Sequence, residues 1–177
     1  MTKISTEAEL FFDRYAYPDW LRAHSLLVGR ITETIVSARA DVRGQAQDIA
    51  LAGYLHDIGR SPLLAGDTRQ HNELSALILA AEGLAGSVEP ARRHAIYTVL
   101  DPATAPATLA DKIVYVADHR GDMKVVTVEE RARDTARRHP GFASDIERAV
   151  PAAKLLEKEV FAGLPFAADE LEAHLIT

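Results

Sequence analysis

The stretch LAGYLHDIGR, residues 51–60, constrains this chain more than any other part of it. An apolar segment runs straight into an imidazole and a carboxylate, His56 and Asp57, and meets Gly59 two residues later. Apolar character on all sides predicts a buried helix, and a histidine beside an aspartate at the end of such a helix is costly to desolvate unless both are satisfied. A metal ion satisfies both. An exposed polar pair closed by a C′ glycine would also read this way, because His⁺ is favoured at helix C-termini and Gly ends helices routinely. The stretch alone leaves both readings open.

The rest of the chain narrows them. With 177 residues, 47% of them hydrophobic and 26% charged, the sequence has the balance of an ordinary globular chain, and a single domain is expected over 1–177. The motif-bearing core spans about 20–120, and helices over 125–177 complete or flank it. No apolar run approaches the roughly 18 residues of a spanning helix, and the start, MTKISTEAELFF, lacks the basic and small-residue features of a signal peptide, so a cytoplasmic location without membrane contact is expected. Cysteine is absent, which removes disulfides, thiolate nucleophiles and Cys-type metal sites and leaves His, Asp and Glu as metal ligands. A net charge of −6 argues against general nucleic-acid binding while allowing a small anionic substrate in a locally basic pocket.

Gly and Pro punctuate segments of helical length whose apolar positions recur at three and four, so the chain is expected to be all-α. Helices are predicted over residues 6–15, with Leu10, Phe11 and Tyr15 on one side, and 19–40, with His24 on or beside the apolar face of Leu27, Val28, Ile31 and Ile35. Further helices are predicted over 44–58, 71–82, a fifth through RRHAIYTVL with Pro90 in its first turn, and 109–119. The last of these opens with a Thr108–Asp111 capping box. Thr127 is expected to cap a helix to 138, followed by one from about 144 to 162 and a short turn over 169–174. The run EERARDTARR reads as a solvated helix face.

His24, the His56-Asp57 pair and Asp118 thus fall on separate helical passes, each at an apolar face or helix end. Bundle interiors are common places for metal sites built from facing helices, and two imidazoles with two carboxylates suit Mn²⁺, Fe²⁺, Co²⁺ or Zn²⁺ and, less well, Mg²⁺. Taken singly, His24 reads as a core histidine and Asp118 as a solvated helix-end residue, although the helix dipole disfavours a carboxylate there.

The ordered set of His24, HDIG at 56–59 and Asp118 within LADKIVYVAD resembles the HD superfamily of metal-dependent phosphohydrolases over about 20–120. The resemblance implies an HD-type helical bundle with the metal in its core, held by His24, His56, Asp57 and Asp118. The small HDIG proteins that include bacterial symmetric diadenosine tetraphosphatases are similar in the Asp118 helix and in a histidine that opens the helix after the HD loop, here His71. For that group the resemblance implies a second ion held by His71 and another histidine. Where the group places His before Thr, this chain has Tyr97-Thr98, and His94 lies one turn earlier. The expected activity is hydrolysis of a phosphate ester or anhydride, with a nucleotide as the foremost substrate, by a metal-activated water that Asp57 orients. Arg60, Lys112 and Arg120 are candidate substrate cations, with Arg69, Arg92 and Arg93 behind them. His119 is a candidate proton donor, though a solvated helix end describes it better. His139 and His174 read as surface residues, and Tyr54, Tyr97 and Tyr115 as core or rim packing. A nucleotide-sensing domain without useful turnover, a di-iron oxygenase using His71 and His94, a plain helical interaction module and a homodimer through the C-terminal helices are the alternatives the sequence allows.

Overall fold

Every residue from Ile49 to Gly59 is buried in the computed structural model, which describes residues 2–176. The elements around this stretch are α1 (Lys3–Arg14), α2 (Asp19–Ala38), α3 (Ala46–Leu55), α4 (His71–Ala81), α5 (Ala85–Arg92), α6 (Leu109–Arg120), α7 (Val128–Arg138) and α8 (Ala143–Phe161), joined by short 3₁₀ turns. Among the described residues there is no strand, only one antiparallel bridge between Gly121 and Val125, and no helix is long and apolar enough to cross a membrane. The all-α expectation holds.

From Ile49 onward α3 has no solvated face, because it serves two apolar clusters at once. Ile49, Ala50 and Ala52 pack with Val28, Ile31 and Ile35 of α2 and with Ile113, Val114 and Val116 of α6. Leu51, Tyr54 and Leu55 pack with Phe12 of α1 and with Leu21 and Leu79. Residue 29 decides how near α2 lies to α3: a Cβ there would stand 2.0 Å from the Tyr54 ring, so only glycine lets the helices approach this closely.

Several boundaries differ from the sequence expectation, for local reasons. The buried face of α1 is Ser5, Ala8 and Phe12 rather than Leu10, Phe11 and Tyr15, and Leu10 is exposed. Two small residues and Phe12, at a spacing of three and four, carry that face. Helix α3 ends at Leu55 instead of 58, and Ile58–Arg60 forms a 3₁₀ turn. Gly59 is therefore not a helix-terminating C′ residue: a Cβ at 59 would lie 2.0 Å from the His71 carbonyl oxygen, so it admits the start of α4. The fifth helix comes earlier than predicted, with Pro90 near its end. The Ser87 hydroxyl donates to the Asp48 carbonyl at 2.7 Å, and this packing on α3 outweighs the poor helix propensity of the Gly-Ser segment. The RRHAIYTVL stretch is consequently split into the end of α5, a turn carrying His94, and a 3₁₀ segment over Ile96–Leu100. The capping box predicted at Thr108 is formed, and Thr127 caps α7 as expected, its box completed by Glu130.

Candidate metal centre

Four helix ends and one helix face deliver the polar side chains to one place. His24 lies on the inner face of α2, His56 and Asp57 follow the last residue of α3, His71 opens α4, His94 sits just past α5, and Asp118 is in the last turn of α6. His24, His56, Asp57, His94 and Asp118 are all buried.

The backbone sets the imidazole tautomers. The last four carbonyls of a helix have no intrahelical partner, and a histidine at or just past the end can donate to the one three residues back. His56 Nδ1 donates to the Gly53 carbonyl at 2.8 Å and His94 Nδ1 to the Ala91 carbonyl at 2.6 Å. His24 Nδ1 faces the Asp122 carbonyl at 3.4 Å. With Nδ1 carrying the proton, each Nε2 presents a lone pair inward.

Those lone pairs converge. His24 Nε2 and His56 Nε2 are 3.2 Å apart, and Asp118 Oδ1 lies 3.1 Å from the first and 3.6 Å from the second. Asp118 Oδ1 is buried without any hydrogen-bond partner among the described residues. A proton shared between the imidazoles would settle one contact and leave the carboxylate oxygen orphaned. A cation settles all three, so the residues present fit a metal ion.

Asp57 faces two ways. Its Oδ2 lies 3.7 Å from His56 Nε2 and 3.9 Å from His24 Nε2, on the side of Asp118. Its Oδ1 lies 3.3 Å from His94 Nε2 and 3.4 Å from His71 Nε2, and these two nitrogens are 3.2 Å apart. Two groups can accordingly offer ligand atoms that all lie within 4.8 Å of one another: His24, His56 and Asp118, and His56, Asp57 and His94. Beside the second group sits a cation from the chain itself. Arg60 Nε donates to Asp57 Oδ1 at 2.7 Å and its Nη2 lies 3.0 Å from His71 Nε2. Burial would raise the Asp57 carboxyl, but Arg60 and the surrounding imidazoles outweigh it and hold the group well below the usual carboxylate range.

A cavity of about 450 Å³ opens onto these residues. Arg60, His71, His94 and Asp118 form its floor side, and Ile96, Phe142 and Ile146 supply an apolar wall. The size is that of a small-molecule site. His119 borders it too: it is buried rather than solvated, donates from Nδ1 to the Tyr115 carbonyl at 2.6 Å, and burial lowers its pKa to about 4. His139 is exposed, as expected, but stands at the cavity rim. Tyr97 is also at the rim and donates to Asn72, while Tyr54 and Tyr115 are buried in the core.

Two cations named from the sequence lie elsewhere. Lys112 pairs with Glu159 at 2.9 Å, and Arg120 is buried against Glu157 at 2.9 Å and the Ala168 carbonyl at 2.7 Å; neither borders the cavity. Both are drawn away by carboxylates of α8, whose position relative to α6 is set by tertiary packing and leaves no local mark in the chain. Arg69 pairs with Asp67 in an exposed loop, and Arg92 and Arg93 pair with Glu89. One cavity residue has no counterpart among the sequence candidates: Arg131, from the charged run on α7, points inward. Its signal is the spacing to Val128 and Ala132, the two buried apolar positions of that helix.

Comparison with curated proteins gives no match, and neither does comparison with solved structures. The HD domain family matches residues 21–121, which is more than half of the chain and holds all six of the histidines and aspartates that converge here. A helix-borne histidine, the His-Asp pair and a distant aspartate meet in the core of an all-helical fold within that matched span: the chain belongs to the HD domain family.

Proposed function

We propose that this chain is a metal-dependent phosphohydrolase that cleaves a phosphate ester or anhydride of a small molecule, with nucleotides as the first substrates to test. The observation that carries the reading is the meeting of two Nε2 lone pairs with the orphaned, buried Asp118 Oδ1, an arrangement that a divalent cation completes. His24, His56, Asp57 and Asp118 would hold the ion, and the mixed imidazole and carboxylate set suits Mn²⁺, Fe²⁺, Co²⁺ or Zn²⁺, with Mg²⁺ a poorer fit. A bound ion of this kind lowers the pKa of its water and polarises a phosphoryl oxygen.

The remaining work falls to the protein. Asp57, kept ionised by Arg60, is placed to orient a water by accepting a hydrogen bond from it. Arg60 reaches the cavity and supplies positive charge to an anionic substrate. The apolar wall of Ile96, Phe142 and Ile146 offers the rest of the substrate a surface to pack on. The diadenosine tetraphosphatase reading draws on the sequence resemblance of the His71 and Asp118 helices and belongs in the same screen.

A second reading has its own support. His71 Nε2, His94 Nε2 and Asp57 Oδ1 form a ligand group of their own, which a second ion could take if Arg60 withdrew. Two ions would bring the dinuclear hydrolase and the di-iron oxygenase forward, and a site that binds without turnover would be a nucleotide sensor. Elemental analysis of wild type beside His56→Ala, Asp57→Ala, His71→Ala and His94→Ala, together with release of phosphate or nucleoside phosphate from a nucleotide panel with Mn²⁺, separates these. One ion per chain, lost in the first two variants, with turnover abolished in Asp57→Ala, is the expected result. A wild-type chain that holds no metal after reconstitution would sink the proposal.

A further inference from the structure

The family match ends at residue 121, yet α7 and α8 close part of the cavity, and one charged side chain from α7 reaches the centre. On this helix Arg133 and Arg137 are exposed, whereas the Arg131 side chain keeps only 14% of its exposure. Its Nη1 donates to Asp122 Oδ1 at 2.5 Å. Its Nη2 lies 3.7 Å from Asp118 Oδ1, too far for a hydrogen bond, and neither Nη2 nor Nε has a hydrogen-bond acceptor among the described residues. Both nitrogens keep contact with the solvent of the cavity, so the guanidinium has two of its three nitrogens free to receive a ligand there.

Asp122 links this arginine to the centre. Its carbonyl faces His24 Nδ1 and its carboxylate holds Arg131, with Arg138 Nη2 at 3.4 Å on the outer side. Helix α7 is itself fixed by the Thr127–Glu130 capping box and by Val128 and Ala132 buried beneath it. The charges then decide what can bind. Asp57, Asp118, Asp122 and the cavity's Asp145 against Arg60, Arg131 and Arg138 leave the residues net negative by one charge, and a divalent ion would turn the centre net positive by one. Such a centre attracts an anion, and Arg131 stands beside the very oxygen, Asp118 Oδ1, that the ion would engage.

We infer that Arg131, oriented by Asp122, receives a phosphoryl oxygen of the substrate at the Asp118 end of the ligand row, as Arg60 does at the His71 end. The inference rests on the phosphohydrolase reading for the identity of the anion. Arg131 is a binding residue and Asp122 a positioning one, and both lie outside the matched span.

Inorganic phosphate is the probe, because it presents the phosphoryl oxygens common to every such substrate and requires no knowledge of the rest of it. The full chain loaded with Mn²⁺ is titrated calorimetrically as wild type, Arg131→Ala, Arg131→Lys and Asp122→Asn, with metal content and circular dichroism recorded for each. Loss of a charged, forked hydrogen bond predicts phosphate binding about ten- to hundredfold weaker in Arg131→Ala at unchanged Mn²⁺ content. Lysine, which keeps the charge without the fork, should recover part of the loss, and Asp122→Asn should lose less than Arg131→Ala. Adding Arg131→Ala to Asp122→Asn should give no more than Arg131→Ala alone. Phosphate bound as tightly by Arg131→Ala as by wild type overturns the inference, as does a wild type that binds none. Loss of Mn²⁺ in both Arg131 variants would also overturn it, since the arginine would then act on the ligands. If wild type hydrolyses nothing while phosphate affinity still depends on Arg131, the hydrolase reading fails and the inference stands. Turnover with a KM indifferent to Arg131→Ala gives the reverse.

Discussion

Replacing Gly29 with alanine tests whether the close approach of α2 and α3 builds the centre. The added Cβ would lie 2.0 Å from Tyr54 Cδ1 and 2.2 Å from Cε1. Carbon atoms pack at about 3.5–4.0 Å, so the helices or the ring must give by about 1.5 Å or more. The ring has nowhere to go: Tyr54 is fully buried and its hydroxyl donates to Glu33 Oε2 at 2.9 Å. Expelling it would resemble truncating a core aromatic, about 3–5 kcal/mol, and spreading the helices would cost about 3 kcal/mol, the upper end of ordinary overpacking. Alanine returns about 1 kcal/mol of helix propensity, which leaves a net loss of about 2–4 kcal/mol. Urea unfolding followed by circular dichroism reads this directly. Gly44→Ala is the control, because nothing lies within 4 Å of a Cβ at that position, and it should be neutral or up to about 1 kcal/mol stabilising. His24 and His56 belong to the two helices being spread, and their Nε2 atoms stand 3.2 Å apart, so Mn²⁺ affinity should fall about tenfold or more with the stability. A Gly29→Ala chain as stable as Gly44→Ala, with wild-type metal affinity, would refute the reasoning.

Arg120→Ala should destabilise the fold by about 3–5 kcal/mol, because it strips a buried ion pair with Glu157, yet leave phosphate affinity of the folded, metal-loaded chain unchanged, which denaturation and calorimetry together measure. Thr108→Ala removes one half of the α6 capping box and should cost about 1 kcal/mol in the same unfolding assay. In the chelated, metal-free chain, burial lowers His71 to about 3 and His119 to about 4 from the ordinary 6.5. Between about pH 4 and 6.5 the unfolded chain therefore binds protons that the folded chain refuses, and stability rises with pH across that window, by at most about 1.4 kcal/mol per pH unit for each histidine. His119→Gln should flatten the slope of urea midpoint against pH by about half, and a wild-type midpoint independent of pH there would contradict the burial argument.

The parts of this molecule legible in its sequence are those fixed by local chemistry. Thr108 and Asp111, or Thr127 and Glu130, announce a helix start because the two side chains satisfy backbone donors three residues apart, and both boxes form. The all-apolar run into His56 announces a buried helix for the same kind of reason. Features that depend on partners far along the chain are hidden. Arg120 and Arg131 are both arginines on helical stretches, and only the placement of Glu157 and Asp122 sends one into a structural ion pair and the other toward the cavity. Helix α5 starts earlier than its sequence suggests because its Gly-Ser segment is stabilised by Asp48 of α3, 39 residues away at the Ser87 hydrogen bond. His94 is legible as a residue but not as a neighbour of Asp57, because the break after α5 that turns it inward depends on that same packing.

The carbonyls of Gly53 and Ala91 have one more implication. In many metal proteins the outer proton of a ligand imidazole is held by another side chain, which must be preserved along with the ligand. Here the peptide chain holds it, and a main-chain oxygen survives replacement of the side chains around it, although residue 53 itself must stay glycine because a Cβ there would stand 2.2 Å from Thr32 Oγ1. The orientation of these two rings is therefore robust to mutation of the surrounding side chains but sensitive to anything that lengthens or shortens a helix by one residue. Divergence could remodel the cavity wall freely at fixed helix length, whereas a single insertion near residue 53 or 91 would turn an imidazole away and extinguish the centre.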